Sequence, residues 1–65
     1  MATLRKNFAT DTDFTVCVYG SDKEDVYFVT THDDVMRKHF DIVKYKSYHD
    51  AERSAKERVK HYTLN

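Results

Sequence analysis

The amino-acid sequence predicts an α+β fold, a small antiparallel sheet of three to four strands with one long C-terminal helix packed on one face. Short segments dominated by β-branched and aromatic residues recur through residues 3–46, and polar stretches separate them. At Ser47 the hydrophobic period changes from two residues to about 3.6, the period of an α-helix. Strands followed by one long helix are typical of an α+β domain.

Three of the strand-like segments are well defined and one is short. Leu4 and Phe8 flank polar positions in the first segment, which we predict as an edge strand. The later segments alternate and are rich in residues that favour strands. The predicted strands cover residues 3–8, 13–19, 26–31 and 40–46.

Two connections are predicted from their turn and capping residues. Gly20 is the only glycine and follows a strand directly, so it is expected to supply the positive φ of a hairpin connection. The stretch Thr31-His32-Asp33-Asp34 has the form of a capping box. It predicts one or two helical turns within residues 32–39, and a polar loop is the alternative.

The long helix is predicted by a capping box and by one apolar stripe. Ser47-Tyr48-His49-Asp50 has the form of a capping box, and the periodic pattern continues to about Tyr62. Two alanines in the middle of the stripe would let the helix lie close to the sheet. The stripe comprises Tyr48, Ala51, Ala55, Val59 and Tyr62.

The predicted strands are apolar on both faces, although only one long helix is available to cover them. We expect the helix to cover the face with the larger residues that lack polar tips, namely Phe14, Val16, Val18, Phe28, Phe40 and Ile42. The opposite face would carry Cys17, Tyr19, Tyr27, Val29, Val43 and Tyr45. A tyrosine-rich face without a cover indicates a contact surface.

Size and composition narrow the class of protein. A chain of 65 residues is expected to form a single compact domain, residues 1–65, of marginal stability. Cys17 is the only cysteine, so no internal disulfide can form. A lone cysteine in a strand fits a packed thiol in a reducing compartment. No signal peptide or membrane span is predicted, so we expect a cytoplasmic protein without a membrane partner.

The charges balance overall but are unevenly distributed. Eleven basic and eleven acidic residues give a formal net charge of +0, which argues against a general nucleic-acid binder. Residues 9–36 hold seven acids and one base, whereas residues 37–60 hold eight bases and four acids. A nucleic acid or an acidic partner could therefore contact the basic side of the helix and the end of the last strand. These residues are Lys44, Lys46, His49, Arg53, Lys56 and Lys60.

No pattern predicts catalysis, a cofactor or a functional metal site. The four histidines show no zinc-like spacing with a cysteine, although His32 with Asp33 and Asp34 could contact a metal ion. Cys17 lacks a neighbouring base that would make it a nucleophile. The acid pairs of the chain are explained by turn and cap chemistry.

The sequence thus favours a small non-enzymatic protein-binding module that docks a sheet face or a sheet edge on a protein partner, or forms a homodimer. The expected partner-binding residues are Tyr19, Tyr27, Val29, Val43 and Tyr45. Small neutral chains of this kind are common among phage and bacterial accessory proteins, so an inhibitor or modulator of a partner protein would fit. The alternative is a nucleic-acid-binding module that uses the basic residues above.

Overall fold

A computed structural model describes residues 2–21 and 23–63. The elements in chain order are β1 (Thr3–Ala9), β2 (Phe14–Ser21), β3 (Val26–Asp33), β4 (Lys38–Tyr45) and α1 (Tyr48–Tyr62). The strands form one antiparallel sheet in the order β1-β2-β3-β4. The predicted α+β class, the edge strand and the C-terminal helix are confirmed. In the described part of the chain, no helix has the length and apolar character needed to cross a membrane.

Helix α1 begins and packs as its sequence predicts. The Ser47 hydroxyl accepts a hydrogen bond from the backbone N–H of Asp50 at 3.3 Å, which satisfies one amide of the first turn. Ala51 and Ala55 are fully buried against the sheet. Because alanine side chains are small, the helix axis can approach the strands closely. Tyr48, Val59 and Tyr62, the larger members of the predicted stripe, pack around the same core.

The core lies between α1 and the two central strands. Val16 and Val18 of β2 and Val29 of β3 are each 0% exposed. The core is closed at the end of the helix by aromatic contacts, since the Phe14 ring centroid lies 5.0 Å from that of Tyr62 and 5.8 Å from that of Phe40. β-Branched side chains and aromatic rings therefore supply most of the buried apolar volume.

Gly20 has a different role from the predicted one. It lies inside β2, and no glycine in the described residues has a positive φ. A Cβ atom on Gly20 would lie 2.3 Å from Cδ1 of Tyr27, its cross-strand partner on β3. The glycine therefore provides the space in which the Tyr27 ring lies. Among residues 23–25, the described part of the connection, Asp25 has a positive φ, at 50°.

The short helix predicted within residues 32–39 is absent, since β3 extends to Asp33 and β4 begins at Lys38. The Asp33 carboxylate accepts hydrogen bonds from the backbone N–H groups of Val35 and Met36, as a helix cap does. Arg37 then adopts a φ of 57° and donates its N–H to the Asp33 carbonyl at 2.7 Å. This left-handed residue ends the turn after one i→i+4 bond.

The face prediction is correct for β2 and wrong for β3. Val18 pairs with Val29, and Gly20 pairs with Tyr27. The connection between the two strands, residues 22–25, has an even number of residues. Even-numbered residues of β2 therefore share a face with odd-numbered residues of β3. As a result Tyr27 and Val29 lie under the helix, and Phe28 lies on the opposite face.

On β4 the face prediction is correct for Phe40 and wrong for the residues after it, because this strand contains a β-bulge. The pairing with β3 shifts register between Val29 and Thr31, which places one extra residue on β4. Asp41 takes the left-handed conformation of the bulge, with a φ of 53°. The bulge places Phe40 and Val43 on the same side, as partners of Thr31 and Val29 respectively. Residues three apart cannot share a face on a regular strand.

Arg58 of the helix holds this bulge in place. One guanidinium nitrogen lies 2.7 Å from the Asp41 carbonyl oxygen, 3.4 Å from the Val29 carbonyl oxygen and 3.2 Å from Thr31 Oγ1. The second nitrogen lies 3.8 Å from the Asp41 carboxylate. The Arg58 side chain is only 11% exposed. It therefore donates to backbone carbonyl groups on both strands beside the bulge.

Candidate binding face

The side of the sheet that faces away from α1, called the open face below, carries both apolar and titratable groups. Its members follow from the observed pairing, because directly paired residues of an antiparallel sheet share a face. The open face comprises Leu4, Asn7, Ala9, Thr15, Cys17, Tyr19, Phe28, Thr30, His32, His39, Ile42 and Lys44.

One polar group on the open face is built around His32. Nδ1 of His32 lies 2.8 Å from the Asp34 carboxylate, whose second oxygen accepts a hydrogen bond from the Thr15 hydroxyl at 2.9 Å. Two hydrogen bonds lower the pKa of the Asp34 carboxyl; the one from His32 has the larger effect and the one from Thr15 the smaller. An ionised carboxylate only accepts hydrogen bonds, so Nδ1 of His32 carries a proton.

His39 lies directly opposite His32 on β4. The centroids of the two imidazole rings are 4.7 Å apart. Nδ1 of His39 lies 2.9 Å from Thr30 Oγ1, and Nε2 lies 3.5 Å from the Tyr19 hydroxyl. The two histidines, together with the groups that orient them, therefore form one continuous polar cluster on the open face.

Cys17 lies on the same face as the direct partner of Thr30 and is 5% exposed. Burial raises the pKa of its thiol, and this effect exceeds the opposing effect of the hydrogen bond with Thr30. A buried and protonated thiol is a poor nucleophile. The prediction of a packed thiol is confirmed, and Cys17 is a small, unreactive member of the open face.

Apolar groups flank the polar cluster. Ile42 is 60% exposed and Leu4 is 45% exposed, while Tyr19 and Phe28 are half-buried and directly paired. A shallow depression of about 280 Å³ lies between Leu4 and the two histidines. The open face thus combines exposed aliphatic area, aromatic rings and convergent polar atoms, the composition found at the centre of many protein interfaces.

The two edges of the sheet are less suited to pairing with another strand. β1 has a bulge between Leu4 and Lys6, and β4 has the bulge at Asp41. Exposed lysines lie on both edge strands, Lys6 on β1 and Lys44 on β4. Bulges and edge lysines are two of the features by which proteins prevent edge-to-edge pairing. The face is therefore the better candidate contact surface.

The structure separates the residues predicted as the tyrosine-rich contact face. Only Tyr19 lies on the open face. Tyr27 and Val29 belong to the buried core, and Val43, 37% exposed, lies on the helix side as the partner of Val29. The Tyr45 hydroxyl is 2.5 Å from Ser54 Oγ of the helix. The even-numbered connection after β2 and the bulge in β4 together account for this difference.

The predicted basic residues do not form one surface. Lys44 pairs with Phe28 and so lies on the opposite side of the sheet from the helix. On the helix, Arg53 contacts Asp50 at 2.9 Å and Lys60 lies 4.0 Å from Glu57, each three residues away. His49, Lys46 and Lys56 are exposed. Such intrahelical pairs are typical of a solvated helix face.

The sequence patterns do not predict that four residues of the open face form one site, namely Phe28, Thr30, His32 and His39. His32 and His39 lie equally far along the sequence from the midpoint of the turn that joins β3 to β4. This symmetry predicts a cross-strand pair only if the turn is known not to be helical. Among residues 2–21 and 23–63, no group of three or more His, Cys, Asp or Glu side chains is arranged to hold a metal ion.

Comparison with known proteins identifies no relative from which a role could be transferred. The chain matches no protein-family model, and it shows significant similarity to no curated protein and to no solved structure. The functional argument therefore rests on the geometry of the open face.

Proposed function

We propose that this chain is a small non-enzymatic protein-binding module that docks the open face of its sheet on another protein. The proposal rests on one observation: in the described part of the chain the four-stranded sheet has a helix on one side only, and Ile42 and Leu4 remain exposed on the other side. A modulator or inhibitor of a partner protein, of the kind common among phage and bacterial accessory proteins, is consistent with this architecture.

The residues at the centre of the face suit an interface. Tyr19 and Phe28 are rigid aromatic groups that are already partly desolvated, so little conformational entropy is lost when a partner covers them. Exposed Ile42 adds area that only a partner can remove from water. The polar cluster of Thr30, His32 and His39 supplies hydrogen-bond donors and acceptors that can fix the orientation of the partner.

The test compares two exposed apolar residues that differ in position. Ile42, on the open face, and Val35, in the β3–β4 turn, are 60% and 67% exposed. Complete burial of such a side chain contributes about 1.5–3 kcal/mol, and because Ile42 is 60% exposed, a partner would supply about 1–2 kcal/mol of this. Ile42→Lys is therefore expected to weaken association roughly 5- to 30-fold. Val35→Lys, the matched control, is expected to leave association unchanged.

Association is measured in two ways, since the partner is either a second copy or a different protein. Sedimentation equilibrium over a range of concentrations gives the self-association constant directly. A photo-crosslinking residue placed at position 42 captures a partner in the native cell, and the same residue at position 53, on the exposed side of the helix, is the control. Equal crosslinking at both positions, or none together with a monomer at every concentration, contradicts the proposal.

The alternative function, a nucleic-acid-binding module, makes a different prediction. Phosphate contacts are strongest at low ionic strength, so such a module would bind random single-stranded or duplex oligonucleotides there. Arg53 and Lys60 are each paired with an acid of their own helix, which reduces the charge available to phosphates. We expect no oligonucleotide binding at low salt by fluorescence anisotropy. Salt-sensitive binding that Arg53→Ala weakens would favour the alternative.

A further inference from the structure

The two histidines of the open face are oriented in the manner of metal ligands. Metal-binding histidines usually have their second ring nitrogen hydrogen-bonded to a carboxylate or another oxygen, which fixes the tautomer and the ring orientation. Here Nδ1 of His32 is bonded to the Asp34 carboxylate at 2.8 Å, and Nδ1 of His39 is 2.9 Å from Thr30 Oγ1. Both rings are thus held through the same atom, Nδ1.

The remaining ring nitrogen, Nε2, is the available ligand atom of each histidine. Because Nδ1 of His32 donates to a carboxylate, the neutral ring has its lone pair on Nε2. Within the described residues, no hydrogen bond to that atom is present. Nε2 of His39 has one contact, with the Tyr19 hydroxyl at 3.5 Å, the long limit of a hydrogen bond. Displacing this contact therefore costs little.

We propose that His32 and His39 chelate a divalent transition-metal ion, Zn²⁺ in the first instance, through their two Nε2 atoms. The residues face each other across neighbouring strands, and their ring centroids are 4.7 Å apart. Imidazole nitrogen is a preferred ligand of Zn²⁺. The ion would occupy the depression of about 280 Å³ that both histidines line.

Two protein ligands leave coordination positions open. Zinc favours four ligands in tetrahedral geometry, so water would complete the coordination in the isolated chain. Cys17 lines the same depression, but its side chain is only 5% exposed, so the two histidines are the ligands that the open face presents. The site is accordingly an open one, of the kind that accepts an additional ligand from outside the chain. Metal binding at this site does not require the proposed protein partner, although both would use the open face.

The test is a titration of the full-length chain with ZnCl₂ in a non-chelating buffer, followed by calorimetry. His32→Gln and His39→Gln are each expected to weaken binding at least tenfold. His49→Gln and His61→Gln, which alter exposed histidines of the helix, are the matched controls and are expected to bind as the wild type does. Asp34→Ala is expected to weaken binding about tenfold, as loss of a group that orients a ligand typically does. Asp11→Ala controls for general loss of negative charge.

A direct readout keeps the proposal testable if a variant is poorly folded. In the wild-type chain, long-range ¹H–¹⁵N spectra of the imidazoles are expected to show zinc-induced shifts at Nε2 of His32 and His39. Binding that persists in the double variant His32→Gln/His39→Gln, or spectra in which the helix histidines shift instead, would overturn the assignment. Absence of any zinc binding by the wild-type chain would do the same, whether or not the chain binds a protein partner.

Discussion

Replacement of Arg58 by alanine is expected to be among the most destabilising changes on the helix. The guanidinium donates at 2.7 Å to the Asp41 carbonyl oxygen and reaches two further acceptors on β3, while only 11% of the side chain is exposed. A hydrogen bond from a charged donor contributes about 1.5–3 kcal/mol, and three bonds from one nitrogen are not additive. We therefore expect Arg58→Ala to lower the free energy of unfolding by about 2–4 kcal/mol.

This loss is large relative to the stability of the whole chain. A domain of this length is stable by about 3–10 kcal/mol. Urea denaturation followed by far-ultraviolet circular dichroism measures the change directly. Arg58→Lys retains the charge but cannot reach several acceptors with a planar group, so it is expected to recover only part of the stability.

The matched control is Arg53→Ala, on the same helix. Arg53 is 68% exposed and contacts only Asp50, at 2.9 Å, among the described ion pairs. Exposed pairs of this type contribute less than about 1 kcal/mol. Equal effects of the two alanine substitutions would refute the reasoning, because they would show that the buried contacts of Arg58 with the bulge add nothing to those of a surface arginine.

Three further predictions concern local features of the fold. Gly20→Ala places a Cβ atom 2.3 Å from the Tyr27 ring. It should therefore lower the unfolding free energy by about 1–3 kcal/mol and shift the near-ultraviolet tyrosine signal. An unchanged denaturation midpoint would argue against close packing of the ring on the glycine. Arg37→Gly removes the strain of a φ of 57° and should raise the unfolding free energy in urea denaturation by about 0.5–1 kcal/mol. A lower unfolding free energy would show that the arginine side chain contributes more than the backbone strain costs. The hydrogen bond from Lys6 lowers the pKa of Glu52 from its ordinary value. This pair therefore stabilises the fold above the ordinary pKa, and its contribution is lost as the pH falls through the lowered value. The stability difference between the wild type and Lys6→Met should therefore be present at neutral pH and vanish in acid, and a difference independent of pH would exclude the ion pair as its cause.

Local sequence patterns are sufficient to predict the helix and the strands, but not which face of each strand is buried. The capping box at Ser47 and the alanine stripe correctly predicted the start, the end and the buried side of α1. The faces of β3 and β4 depend on quantities that the strand sequences do not contain. One is the even number of residues in the connection 22–25, and the other is the bulge at Asp41.

The composition of the open face was unpredictable for the same reason. A change of one residue in register transfers every side chain of a strand to the other face. Strand alternation therefore predicts Tyr27 on the contact surface, whereas its ring lies over Gly20 in the core. His32 and His39 could be recognised as neighbours only once the turn between them was known to close after a single i→i+4 bond.

The bulge at Asp41 links the stability of the fold to the composition of the open face. On a regular strand, His39 would share a face with Val43 and Tyr45, because all three are odd-numbered. The extra residue instead places His39 on the same side as Ile42, and it directs Val43 toward the helix. Arg58 holds this arrangement from the other side of the sheet. Loss of the arginine should therefore disturb the histidine pair and Ile42 together, even though it contacts neither of them directly in the described structure.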